Sequence, residues 1–200
     1  MNTKIDVWNM ALARVGAQSV VSDTDENLEA SLCRFFWAQT VDEILRLNHW
    51  NCALKRAELA RLSEPPAFEW SYAYRLPVDF ISLAQLEVSS ADYVIEGNLL
   101  LCNLEVCRIK YVRRMNNPAE FSPWMTACVV LNLAAKLAPK LTNNENASSP
   151  FTNELYQIAL PQGRVADAYD SSNTNKRDSW LDFDKPPLFG DENIQVFGRF

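Results

Sequence analysis

A chain of 200 residues with 48% hydrophobic content is long enough for one domain with its own core. Its formal charge of −6 argues against a dedicated nucleic-acid binder, whose surface is normally basic. The same charge suits a wall past which DNA moves without sticking, because like charges repel. Five scattered cysteines (Cys33, Cys52, Cys102, Cys107, Cys128) contain no C-x-x-C pair and read as small, reduced, mostly buried side chains of a cytosolic product. Residues 1–8 carry Lys4 and Asp6 without an apolar segment, so no signal peptide is expected. No uncharged apolar run reaches the roughly 18 residues of a membrane span.

The first helix is expected over residues 3–15, with Ile5, Trp8, Leu12 and Val15 on one stripe and Gly16 as its stop. A short polar link over residues 18–24 implies that the next helix packs antiparallel to it. That helix is the strongest in the chain and is expected over residues 25–50. Asp23, Thr24, Asp25 and Glu26 offer capping oxygens and negative charge at its start. Leu28, Leu32, Phe35, Phe36, Val41, Ile44 and Leu45 mark its apolar side. Asp42 precedes Arg46 by four residues, the favourable order for a helical ion pair.

Residues 51–62 fit helix or strand by propensity, and Pro65 and Pro66 end them. From Phe68 the chain turns aromatic and strand-prone, with Trp70, Tyr72 and Tyr74 alternating and a further run over residues 80–88. Tyr93-Val94-Ile95 and Leu99-Leu100-Leu101 flank Glu96-Gly97-Asn98, a hairpin signal. Residues 106–112 read as a strand with Arg108 and Lys110 on one face and Ile109 and Tyr111 on the other. One small antiparallel sheet is therefore expected over residues 52–114.

Ser122-Pro123 reads as an N-cap followed by a first-turn proline, opening a nearly all-apolar helix over residues 124–138 that Pro139 should stop. Ser149-Pro150 repeats the signal. Phe151, Leu155, Ile158, Val165 and Tyr169 mark the fourth helix, and Pro161 and Gly163 predict a kink or break in it. Past a polar stretch at residues 170–179 come Trp180, Leu181, Phe183, Pro186, Pro187, Leu188, Phe189, Phe197 and Phe200, without period and beside a double proline. Large apolar side chains in that arrangement suggest an extended arm that anchors on a partner surface. The fold expected is α+β: a mainly helical four-helix bundle with an inserted small antiparallel sheet in residues 1–170, and an extended C-terminal arm in residues 171–200.

Little in the chain points to catalysis. His49 is the sole histidine and sits at a helix end, where it caps or packs. Zinc-ligand spacing and a glycine-rich phosphate loop are both missing, so no metal and no cofactor is expected. The acidic neighbours Asp42-Glu43 and Asp191-Glu192 diverge on a helix instead of converging across a cleft. Arg108, Lys110, Arg113 and Arg114 form the one basic cluster, a candidate contact face for DNA or an acidic partner; a solvated strand face is the plainer reading. Trp70, Tyr72 and Tyr74 read as core, or as interface anchors at a sheet edge.

Three segments in this order resemble a known family. Asp6-Val7-Trp8-Asn9-Met10-Ala11-Leu12-Ala13-Arg14-Val15-Gly16 is similar to its opening helix. His49-Trp50-Asn51-Cys52-Ala53 with Lys55-Arg56-Ala57 is similar to its second signature. Phe68-Glu69-Trp70-Ser71-Tyr72-Ala73-Tyr74-Arg75-Leu76-Pro77-Val78-Asp79 is similar to its third. The family is the tail tubular protein A, or head-to-tail adaptor, of short-tailed double-stranded DNA bacteriophages. The resemblance spans residues 5–169; Pro161 and the long aromatic tail depart from the family's pattern. It implies a virion neck protein that forms a homo-oligomeric ring, usually of twelve copies. Such a ring lies between the portal protein and the tail nozzle protein, and double-stranded DNA passes through its lumen without sequence-specific binding. It implies no enzyme and no membrane. Two other readings stay open: a peptidoglycan-degrading tail-associated enzyme, and a neck connector of a longer-tailed phage.

Overall fold

The structure, a computed structural model, describes residues 2–171. With 50% of the described residues helical, 19% in strands and antiparallel sheets, the chain is α+β. The first helix, α1 (Lys4–Val15), opens on a reciprocal cap. The Thr3 hydroxyl accepts from the Asp6 N–H at 3.2 Å, and the Asp6 carboxylate accepts from the Thr3 N–H at 2.7 Å. Gly16 closes it in the left-handed conformation at φ 78°. Asn9 then pins the link, its side chain exchanging two hydrogen bonds with the Val20 backbone.

The second helix, α2 (Leu28–Leu47), is shorter than the sequence suggests at both ends. Asn27 is its cap, accepting from the Ala30 N–H at 2.8 Å. Asp25 is spent in the link, where it accepts from the Val21 and Ser22 N–H groups. At the far end Asn48 leaves the helix in an extended conformation. The apolar side is as expected over the second half, where Val41, Ile44 and Leu45 are buried, and differs in the first half, with Leu32 and Phe36 only half-buried. Ala30, Cys33, Val41, Ile44 and Leu45 are buried, whereas Leu28 and Phe35 are 59% and 76% exposed. Trp37 bridges to α1 by an edge-to-face contact with Trp8. The expected Asp42–Arg46 pair does not form. Asp42 takes a two-point hydrogen bond from Arg114, while Arg46 reaches the Ile81 carbonyl.

A short 3-10 turn (Asn51–Ala53) leads into the insertion, which holds two sheets where one was expected. The strands are β1 (Leu54–Glu58), β2 (Ala60–Arg61), β3 (Tyr72–Arg75), β4 (Phe80–Leu86), β5 (Tyr93–Glu96), β6 (Leu99–Cys102) and β7 (Arg108–Arg113). One sheet has the order β1-β7-β4 and the other β2-β3-β6-β5, all antiparallel. Two-residue closure of β5 onto β6 uses Gly97 at φ 60°, the conformation that such a turn demands. Leu59, Tyr74, Leu86, Leu100, Cys102, Cys107, Ile109 and Tyr111 form a core between the sheets. Tyr74 is buried there with its hydroxyl on the Leu104 and Glu105 carbonyls, and Trp70 precedes the strand it was expected to join.

The third helix, α3 (Pro123–Thr142), starts as expected, with the Ser122 hydroxyl accepting from the Met125 N–H. It continues through Pro139 instead of stopping there. The carbonyl that loses its partner, that of Ala135, belongs to a half-buried residue, where the loss is tolerable. Then α4 (Ser149–Glu154), a π-helical turn (Leu155–Ala159) and α5 (Leu160–Ser171) follow in succession. The expected kink or break near Pro161 takes the form of that wider turn, where the path leaves α-helical geometry just ahead of the missing N–H. It also rotates the buried side: Leu155, Ala159, Leu160 and Gly163 point inward. Of the predicted stripe, Leu155 is buried and Phe151 half-buried, while Ile158, Val165 and Tyr169 are exposed. Helix α3 is the hub, packed against α1, α2, α4 and α5. The helical core extends to Ile81, Val112 and Met115 of the insertion.

Candidate functional site

The Asn48-His49-Trp50-Asn51 stretch is a structural joint. Asn48 donates to the Asp167 carboxylate at 2.7 Å, and the Asn51 side chain donates to the Asp167 carbonyl at 2.7 Å. Arg164 reaches the Leu47 carbonyl. Trp50 is fully buried, its Nε1–H on the Ile44 carbonyl at 2.8 Å and its ring against Gly163. His49 projects to solvent at this joint. The motif thus ties the end of α2 to α5 and aims the chain into β1. Burial raises the Asp167 pKa, against the hydrogen bonds from Asn51 and Asn48.

The basic cluster does not form one patch. On the outer face of the three-stranded sheet, Arg108 stands between Glu58 and Glu87 and pairs with both. Arg113 pairs with Glu120, and Arg114 with Asp42. Lys110 is half-buried and has no ion-pair partner among the described residues. Its cross-strand neighbours are Arg56 on β1 and Gln85 on β4. The face is a concavity of about 470 Å³ lined by these rungs. Arg56 was not singled out in the sequence. The signal that would find it is pairing register, which a single strand does not display.

The acidic neighbours are also occupied. Glu43 meets Lys136 at 2.7 Å and accepts from Asn132 and Gln39. Burial acts to raise its pKa, but those partners outweigh it and hold the carboxyl below the usual range. Asp79 behaves alike: burial raises, while Tyr111 at 2.8 Å and Lys55 at 3.1 Å lower it, with a net fall. A carboxyl with a depressed folded pKa contributes stability above the unfolded value of about 4, lost as pH falls through the folded value. Asp167, with a raised pKa, has the opposite sign and is relieved by protonation. Asp79→Asn should therefore flatten the acid side of a Tm-versus-pH curve, whereas Asp167→Asn should steepen it. Equal slopes in the two variants would contradict this assignment.

The described residues hold no group of three or more His, Cys, Asp or Glu side chains arranged for a metal, and no helix long and apolar enough to cross a membrane. All five cysteines are free thiols, and burial pushes those of Cys33 and Cys128 up to about 12. The arm residues Trp180, Leu181, Phe183, Pro186, Pro187, Leu188, Phe189, Phe197 and Phe200, and the Asp191-Glu192 pair, lie outside the described residues.

Among the described residues, exposed large apolar side chains include two sets at helical spacing. On α2, Leu28 and Phe35 are one heptad apart and exposed, with Ala38 continuing the row. On the last helix, Ile158 and Val165 are 57% and 49% exposed and Pro161 stands between them. Both helices flank α3. No family model matches the chain, and no curated protein matches it as a relative.

Proposed function

We propose that the chain is a structural, non-enzymatic head-to-tail adaptor of a short-tailed bacteriophage. It forms a ring, dodecameric as the resemblance implies, between portal and nozzle, and so continues the DNA channel. In this reading α1, α2, α3 and the α4–α5 path make a four-helix bundle, the two sheets are the insertion, and residues 172–200, one residue later than the sequence suggested because Ser171 ends α5, are the arm that grips the portal. The supporting observation is the pair of unlike apolar faces, Leu28/Phe35 and Ile158/Pro161/Val165, on different helices of one chain. A ring needs this: one surface of each copy meets a different surface of the next, and the contact closes when the rotation fits. Scattered single apolar residues on a surface need no explanation, whereas grouped ones mark interaction sites. The lumen carries DNA by repulsion rather than by affinity, consistent with a net charge of −6.

Electron microscopy of the purified chain, alone and with portal, tests the reading. Closed rings that dock on portal support it; a species that stays monomeric in both conditions overturns it. Removal of residues 172–200 should abolish attachment to portal, seen by co-sedimentation, and leave the remaining domain folded, seen by circular dichroism. Full attachment by the truncated chain would remove the arm from the account.

A further inference from the structure

The outer face of the three-stranded sheet has two successive rungs of opposite character. In one, Glu58 and Glu87 flank Arg108 and satisfy it. In the next, Arg56 and Lys110 stand opposite each other with only the neutral Gln85 beside them. Like charges directly across an antiparallel pair oppose each other. Among the described residues neither cation has an ion-pair partner. The rung lies in a concavity, so an incoming anion would be contacted by both side chains.

We infer that this rung is a docking site for the chain's own acidic stretch, Trp180-Leu181-Asp182-Phe183-Asp184, with Asp182 and Asp184 on Arg56 and Lys110. Charge and spacing fit. In an extended segment, residues two apart share a face and sit about 7 Å from one another. Directly paired cross-strand residues have Cα atoms about 5 Å apart, and Arg and Lys stems span the difference. Reach also fits. The described chain ends with the Ser171 hydroxyl on the Asn51 side chain at 3.0 Å. Arg56 lies five residues beyond Asn51, at most about 18 Å away. Asp182 lies eleven residues beyond Ser171, a span of up to about 36 Å. A tether of that length holds the acidic stretch at a high effective concentration, so a modest pairing suffices. The carboxylate-flanked Arg108 next door repels a longer anion and confines the site to a short segment. A nucleic-acid strand running along the sheet would meet Glu58 and Glu87 at once. The inference stands whether or not the chain is a phage adaptor.

The test is a photo-crosslinking amino acid in place of Phe183 in the full chain, with crosslinked peptides mapped by mass spectrometry. Crosslinks to β1 or β7 are expected. They should fall about tenfold in Arg56→Glu/Lys110→Glu and in Asp182→Lys/Asp184→Lys, and return when the four substitutions are combined. Crosslinks that ignore these reversals, or that never reach the sheet, overturn the inference. Milder Arg56→Gln/Lys110→Gln changes, checked by circular dichroism, give the same reading if the reversal unfolds the chain. Crosslinked monomers independent of concentration place the contact within one chain; crosslinked dimers place it on a second copy. Loss of the crosslinks to inorganic phosphate, beyond the effect of sodium chloride at equal ionic strength, would mean that the site is a phosphate site instead.

Discussion

Trp50→Ala is expected to remove about 3–5 kcal/mol of folding stability, the range for truncating a fully buried large aromatic. Trp50 is 0% exposed and holds three elements at once. Its Nε1–H closes on the Ile44 carbonyl at the end of α2, its backbone carbonyl takes the N–H of Ala53 at the entry to β1, and its six-membered ring lies on Gly163 of α5. A Cβ at position 163 would sit 2.8 Å from two atoms of that ring and 3.3 Å from the Trp124 Cβ. Gly→Ala in a helix interior ordinarily gains about 1 kcal/mol. Here the overpacking cost of about 1–3 kcal/mol should exceed that gain, because a ring anchored at its nitrogen cannot slide away. The sign should reverse in a Trp50→Leu background, where the clashing atoms are gone. Urea denaturation of the four proteins measures the coupling. A wild-type background in which Gly163→Ala stabilises would show that the contact is loose.

What the sequence made legible follows from where the information is local. Caps are local: Gly16, Ser122 and Pro123 can be read directly because each acts within a turn of itself, but at α2 four earlier candidates, Asp23 to Glu26, hid Asn27, the residue that caps. The hairpin at Gly97 is local too. The side of a helix that faces the core is not. On α2, Leu28, Phe35, Ala30 and Cys33 all fit a helical period, and only packing on α3 selects the smaller pair. On the last helix the π-helical turn adds a residue to one turn, so a stripe counted at 3.6 residues comes out of phase after Leu155. Division of the strands into two sheets depends on register, which no single strand reveals. The basic cluster looked uniform for the same reason: the acidic partners Glu58, Glu87, Glu120 and Asp42 come from four other segments.

Substituting either apolar face with charge should abolish assembly without harming the fold, and mixing the two variants should partly restore it. Ile158→Asp/Val165→Asp changes side chains that are about half exposed in the monomer, and Leu28→Asp/Phe35→Asp changes ones exposed by 59% and 76%. Exposed substitutions of this kind move monomer stability by about 0.5 kcal/mol or less. In an assembled contact the same positions are buried. Losing two apolar side chains then costs about 3–6 kcal/mol, before the penalty for enclosing unpaired carboxylates. At about 1.4 kcal/mol per tenfold, each contact weakens by at least a hundredfold. The geometry makes a sharper demand. A copy with a damaged α2 face still has its α5 face, and the converse holds for the other variant. If one face meets the other head to tail, each variant alone is a monomer, and an equal mixture forms a one-to-one pair that grows no further. If each face instead meets its own kind across a two-fold axis, each variant alone forms a dimer through its surviving face, and mixing adds nothing. Light scattering on the two variants, separately and mixed, distinguishes these outcomes, and dimers of a single variant would count against a ring.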